Sequence, residues 1–394
     1  MLELRNICTQ IKDGDWIESK DQSADGIRLI QTGNIGIGTY LDKDNRAKFI
    51  SEETFNELKC TEVFEGDILI SRLPSPVGRA CLVPKLDGRA ITAVDCTIVS
   101  VDRDICIPKY FVYYTMSDKY LNQIDRFVVG TTRARISRKN LEGIKIFLPE
   151  ISRQKKIVEV LDKTQELIDK RKEQIEALDE LVKSRFIEMF GDNNTIFKKW
   201  KNTIIDEVSE VGVGVVIKPS EYYTEENNGI KTFRSLNIGE MYVKDKDWVY
   251  FTKEGNDKNK KSILKEGQVL IVRSGYPGTA CVVTKDYEGC NAIDVIIATP
   301  DNKNINSTYM CAFTNFPHGK NQIVSGQAGA GQKHFNVGAY KKLKIALPPI
   351  ELQNKFEEFV KQVDKLKSQM ETSLKELEDN FNSLMQKAFK GELF

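Results

Sequence analysis

Chemistry in this chain would have to come from arginine, glutamine, histidine and lysine side chains carried on short polar turns. Arg133 and Arg135 lie in the stretch "TTRARIS" with Thr131 and Thr132, and 199 positions later the matching stretch "AGQKHFN" carries Gln332, Lys333 and His334. Gly130 and Gly329 anchor the correspondence, so Arg133 matches Gln332 and Arg135 matches His334. An arginine fork suits the two acceptors on the major-groove edge of guanine, whereas glutamine suits the donor and acceptor of adenine. One scaffold carrying two side-chain sets points to two short nucleic-acid sequences being read. A second candidate pair is "SRLPSPVGRA", with Arg72 and Arg79, against "VRSGYPGTA", with Arg273 and Tyr276. Gly, Pro and Ser between strand-like runs let side chains project from a rigid frame. Ordinary turns with solvated arginines are the competing reading at each of these positions.

The residue sets of common enzymes are not assembled. In "GQAGAGQK" the lysine, Lys333, comes one residue late for a phosphate-binding loop and no Ser or Thr follows it. The pair Gly212 and Gly214 lacks the third glycine of a dinucleotide fingerprint. "LPPI" has neither the Asn or Asp nor the aromatic of an adenine-methyltransferase motif. Two histidines, His318 and His334, and eight cysteines without a CxxC pair leave little scope for a metal centre. We therefore expect no catalytic residue, no metal and no cofactor, with the cysteines as buried or half-buried reduced thiols.

The elements that must carry these turns come in two copies. Asp95 and Asp294, Tyr110 and Tyr309, Gln123 and Gln322, Pro149 and Pro348, Gln154 and Gln353, and Phe190 and Phe389 all stand 199 apart. Upstream the offset drifts to 201 for Gly66 and Gly267 and to 203 for Asn34 and Asn237. Solenoid units run roughly 20 to 50 residues, so a period this long is a duplicated domain. Within each copy, β-branched runs broken by Gly and Pro predict strands, as in Asp67 to Ser71, Arg79 to Val83 and Thr97 to Val101. One helix is predicted from about Pro108 to Ile124, and its counterpart from Ser307, a capping residue type, to Ile323.

After Pro149 and Pro348 both copies change character. Mostly apolar positions recur at alternating steps of four and three, beginning Ile157, Leu161, Thr164, Ile168 in one and Phe356, Val360, Val363, Lys367 in the other, with Thr164 and Lys367 as polar exceptions. That is a coiled-coil seam. A helix of about 40 residues is about 60 Å long and cannot hide inside a small domain, so the simplest arrangement pairs the two seams antiparallel. The expected fold is α+β: two tandem mixed domains, residues 1–149 and 192–347, and two long antiparallel coiled-coil helices, 150–191 and 348–394, with pseudo-twofold internal symmetry. Phe186, Phe190, Met385 and Phe389 lie off the seam near the helix ends. They form either a partner-binding surface or contacts with the chain's own domains.

A hydrophobic content of 40% with 29% charged residues is ordinary for a soluble globular protein. No stretch approaches the roughly 18 apolar residues of a membrane span, and the N-terminus lacks the pattern of a secretory signal, so a cytoplasmic location is expected. Net charge is only +1. A chain binding DNA through phosphates alone would be strongly basic, so a nucleic-acid role must use local patches or additional partners.

The junctions "IFLPEISRQKKIVEVLDK" and "IALPPIELQNKFEEFVKQ", the helix ends "FIEMFGD" and "MQKAFKGEL", and the tandem layout together resemble the specificity subunits of type I restriction-modification systems. Glu150 stands where the second copy has Pro349, and the differing stretches after Gly130 and Gly329 prevent transfer of any base preference. The resemblance implies two target recognition domains, each reading half of a bipartite double-stranded DNA site. It also implies helices that act as spacer and docking surface for two methyltransferase subunits, which recruit restriction subunits. Such a chain would perform no chemistry itself. A structural adaptor with two protein-binding domains on a coiled-coil strut remains the alternative, and the near-neutral charge suits it. A monomeric methyltransferase would need motifs that are absent.

Overall fold

A computed structural model describes residues 1–130, 134–325 and 335–393. The chain divides into two compact units, Met1–Lys172 with Ser373–Phe394, and Glu173–Thr372. Each unit therefore holds one globular domain and part of each long helix.

In the first unit a four-stranded antiparallel sheet runs in the order Cys8–Asp13, Cys96–Val101, Ile68–Ser71, Ala80–Leu82. The strand Ile68–Ser71 is buried on both faces, as its apolar run Ile68-Leu69-Ile70 requires. Alternation sorts its side chains between two cores. Ile68, Ile70, Ala80 and Val99 join the helices, whereas Leu69, Cys81 and Ile98 meet Ile30, Val63 and Ala90 of a second sheet. That second sheet is ordered Phe49–Ile50, Ile27–Ile30, Ala90–Thr92, Glu62–Val63, with its central pair parallel. The second unit repeats the plan with Ser209–Val213, Val295–Pro300, Val269–Val272 and Ala280–Val282. There Val269, Ile271 and Ile296 turn towards the helices and Leu270, Val272 and Ile297 towards Phe233 and Ile238.

Each single helix expected after the strands is instead two. Pro108–Thr115 ends before Asp118–Asp125, where the Ser117 hydroxyl accepts from the Tyr120 N–H and starts a new helix. Ser307–Asn315 is followed by Pro317–Ser325, because Pro317 lacks the N–H that would continue the first. Asn306, not Ser307, is the cap: its side-chain oxygen accepts from the N–H groups of Thr308 and Tyr309.

The long helices are Ile151–Phe190 and Ile350–Lys390. They pair antiparallel within each unit. In the first unit Arg153 donates to the Gly391 carbonyl at 2.9 Å and Lys172 meets Glu378 at 3.0 Å. In the second, Lys367 meets Asp179 at 2.6 Å and the Phe190 and Phe356 rings lie 5.6 Å apart. The seam is as the spacing predicts: Ile157, Leu161, Ile168, Phe381 and Ala388 share one core, and Leu178, Val182, Phe356, Val360 and Val363 the other. Lys367 is a polar seam position that earns its place by binding across the pair.

The helix starts are pinned by matching glutamines. Gln154 is fully buried; its Oε1 accepts from the Ile107 N–H, and its Nε2 donates to the carbonyls of Ile105 and Pro149. Gln353 does the same with the Asn306 N–H and the carbonyls of Asn304 and Pro348. The helix ends are pinned by aromatics. The Phe389 ring packs 5.5 Å from Tyr110 and 5.3 Å from Tyr114, and Phe190 packs 4.8 Å from Tyr309. Phe186, Phe190, Met385 and Phe389 are all at most 4% exposed, which corrects their assignment to a partner-binding surface: they are spent on the chain's own domains.

Cys8 is half-buried and the other seven cysteines are buried, all of them free. Burial pushes the Cys8 and Cys106 thiols up to about 12, so these thiols are protonated packing groups. Among the described residues no helix is long and apolar enough to cross a membrane.

Two outcomes test this packing. Phe389→Ala should lower the stability of the first unit by about 3–5 kcal/mol in urea unfolding, as buried phenylalanine truncations do. The second concerns His318, which is buried beside the Phe186 and Phe313 rings and bonds the Gly191 carbonyl through Nε2. Burial holds its pKa below the ordinary 6.5, so the unfolded chain binds a proton more readily than the folded one. Stability is then full above the ordinary value and falls as pH drops below it. Melting temperatures between about pH 7 and about pH 5.5 should fall for the natural chain and fall less for His318→Gln, whose amide can keep the bond to Gly191.

Candidate nucleic-acid interface

In the first unit the two candidate stretches converge. Arg72 follows the strand Ile68–Ser71, and the loop returns at Arg79. Gly78 closes it with φ +83, and a Cβ there would press on Ile124. The other stretch is held at its ends by paired backbone bonds between Val129 and Arg135, 3.0 and 2.9 Å. Ile136 then donates its N–H to the Arg72 carbonyl at 3.3 Å. Positions 64 residues apart in sequence thus share one edge of the sheet.

Asp95 organises the charges there. Its carboxylate lies 3.0 Å from Arg135 and 4.0 Å from Arg72, while Asp13 approaches Arg72 at 3.6 Å and Arg138 at 3.9 Å. Arg135 keeps about half of its side chain exposed, 47%, so one side of the guanidinium rests on a carboxylate and the rest faces solvent. A carboxylate behind an arginine fixes the plane of its fork, which is what bidentate reading of a planar edge requires.

Arg72 and Arg79 differ from the sequence expectation. Arg72 is 5% exposed and donates to the Val94 carbonyl at 2.5 Å. Arg79 is 8% exposed and spends its donors on four carbonyls: Ile35 at 2.6 Å, Leu73 at 2.8 Å, Pro76 at 3.0 Å and Thr32 at 2.8 Å. Neither offers its fork to a ligand in this conformation. Both brace the loops instead, a role that composition alone could not separate from an outward one.

The second unit repeats the frame with other side chains. Phe335 donates its N–H to the Arg273 carbonyl at 2.9 Å, matching Ile136 and Arg72, and Gly278 has φ +84 like Gly78. Arg273 is mostly buried against Asp294 at 2.6 Å, so it too is a brace. Tyr276 stands out at 83% exposure, its ring free to stack or to offer its hydroxyl. Val213 occupies the position of Asp13, which removes one carboxylate from this edge. Thr131, Thr132, Arg133, Gln332, Lys333 and His334 lie outside the described residues. Of the remaining expected readers, Arg135 and Tyr276 project and Arg72, Arg79 and Arg273 do not. Asp95 and Asp294 were missed as organising residues, although their identical spacing in the repeat was the signal that could have found them.

The model of the type I restriction modification DNA specificity domain matches residues 2–177 and again residues 197–379. The chain belongs to this family. Among its relatives are the EcoKI specificity subunit of Escherichia coli strain K12, 23% identical over 309 residues, and the EcoBI specificity subunit of Escherichia coli, 22% identical over 315 residues. Each alignment covers 72% of this chain but only 65% and 66% of those relatives' lengths. In three dimensions the chain is similar to one from a structure of type I R-M complex assembly and conformational transition, with TM-score 0.64 and 17% identity over 100% of this chain and 97% of that one. It is also similar to the type I S subunit of M. genitalium, with TM-score 0.53 and 15% identity over 98% and 95%. These likenesses establish the tandem specificity-domain fold with its long helices.

The division between braces and projecting residues is measurable. Arg79→Ala takes a donor from four backbone carbonyls; those of Thr32 and Leu73 keep the Ile35 N–H and the Ser71 hydroxyl, so the loss falls on those of Ile35 and Pro76 and should cost about 2 kcal/mol or more, given about 1–3 kcal/mol for each buried group left unpaired. Tyr276→Ala should stay within about 0.5 kcal/mol of the natural chain. Urea unfolding of the two variants separates these outcomes.

Proposed function

We propose that this chain is the sequence-reading, non-catalytic subunit of a type I restriction-modification complex. Each specificity domain reads one half of a bipartite double-stranded DNA site. The single observation that carries this reading is the repeated frame with unlike side chains. Arg135 backed by Asp95 projects from one copy, and Tyr276 projects from the corresponding edge of the other. A duplicated adaptor binding one kind of partner twice would have no use for that divergence. Arg133, Thr131 and Thr132 in the first half, and Gln332, Lys333 and His334 in the second, are the further proposed readers, on their hydrogen-bonding chemistry.

The long helices set the distance between half-sites and dock two methyltransferase subunits, which recruit restriction subunits. Leu167, Leu181, Ile187 and Leu366 are each more than 40% exposed on those helices and support this reading, because apolar side chains there remain after the seam has closed. With partners gripping DNA as well, a net charge of +1 suffices, since this chain need not neutralise every phosphate contacted.

Replacing the segment before Pro149 with that of another specificity subunit, and co-expressing the chimera with its methyltransferase, tests the division of labour. Methylome sequencing should show one half-site changed and the other kept. Alteration of both half-sites, or of neither, would sink the proposal.

A further inference from the structure

Arg79 has no counterpart in the second unit. The frame around it does: Asn34 accepts in its helical turn as Asn237 does, the Leu41 N–H bonds Asn34 as the Lys244 N–H bonds Asn237, and the Gly38 N–H bonds Ala80 as the Met241 N–H bonds Ala280. On this superposition Thr32, Ile35, Leu73 and Pro76, whose carbonyls receive the Arg79 guanidinium, correspond to Ser235, Ile238, Ser274 and Tyr276. Thr279 stands at the position of Arg79. Those four residues and Thr279 all line a cleft of about 890 Å³ in the second unit.

A threonine hydroxyl has one proton to donate, where the Arg79 guanidinium supplies a planar fork. Thr279 uses its proton on the Tyr276 carbonyl at 3.0 Å. One hydroxyl does not reproduce that fork. The space that the first domain fills with its own arginine is open in the second.

We propose that this cleft is a guanidinium-binding site, and that its occupant is an arginine side chain presented by a partner protein. The internal repeat supplies the precedent: the same backbone frame already holds a guanidinium once in this chain. Charge agrees with it. Glu176, Glu240 and Asp364 line the cleft against Lys244 and Lys320, while Glu180 is paired with Lys183 at 2.7 Å and Asp179 with Lys367 at 2.6 Å. Val182, Phe316 and Val360 add apolar wall for the methylene stem of the incoming arginine. Polyanionic DNA is a poor match to such a lining; Tyr276 belongs both to the cleft wall and to the proposed reading edge, but the site is argued from the frame and the carboxylates and does not depend on the DNA-reading proposal.

Calorimetric titration of the full chain with N-acetyl-arginine amide tests the site, with N-acetyl-lysine amide as the control for charge alone. Saturable binding of the arginine compound, at least fivefold tighter than the lysine compound, is expected. Thr279→Arg should abolish it by filling the cleft as Arg79 fills the first domain. Glu240→Gln with Asp364→Asn leaves the frame intact and should weaken binding at least fivefold, which keeps the test alive if the arginine variant does not fold. Absence of saturable binding to the natural chain, equal binding of the two compounds, or unchanged affinity in the carboxylate double variant would each overturn the proposal.

Discussion

Everything else in each unit depends on aromatic packing between a helix end and the helix that crosses the sheet. Phe389 meets Tyr110 and Tyr114 in the first unit, and Phe190 and Phe186 meet Tyr309 in the second. Edge-to-face rings contribute beyond the area they bury. The tyrosine hydroxyls are also engaged, Tyr110 donating to the Phe147 carbonyl and Tyr309 to that of Ala346. These bonds tie the segment just before each long helix to the same core. Thus the element that ends one long helix and the segment that begins the other are fastened to a single domain.

That fastening has a consequence for recognition. A helix that ended in solvent could swivel about its last turn; one buried through two aromatic residues cannot. The matched glutamines act at the opposite end, where Gln154 and Gln353 fix the first turn of each helix to the loop before Pro108 or Ser307. Each domain therefore has a defined orientation on the helical segments of its own unit. A candidate edge held in that way presents Arg135 or Tyr276 at a fixed angle to the helices of its own unit, as base contacts need and phosphate attraction alone does not.

The two candidate edges carry different side chains on one shared frame. The backbone bonds from Ile136 to Arg72 and from Phe335 to Arg273 are equivalent, as are the left-handed glycines Gly78 and Gly278. Around them, Arg79 stands against Thr279 and Asp13 against Val213. Substitution at Arg79 changes more than a side chain, because four carbonyls accept from its guanidinium. The open cleft around Thr279 goes with the lack of such a group.

By itself the sequence determined the duplication, the seam and the place of the candidate turns, because each is a periodic property. A 199-residue offset, a four-three apolar rhythm and glycine-bounded strand runs need no partner to be visible. Long-range partnership decided the rest. Whether an arginine faces solvent or carbonyls depends on backbone brought from elsewhere: Arg79 binds residues up to 47 positions away, and Arg72 and Arg135 meet at Asp95. The same holds for Phe186, Phe190, Met385 and Phe389, whose off-seam positions suited an external surface equally well until the domains that cover them were in place. The break at Ser117 and Pro317 was legible in principle, since both residue types start helices, but a continuous apolar rhythm masked it.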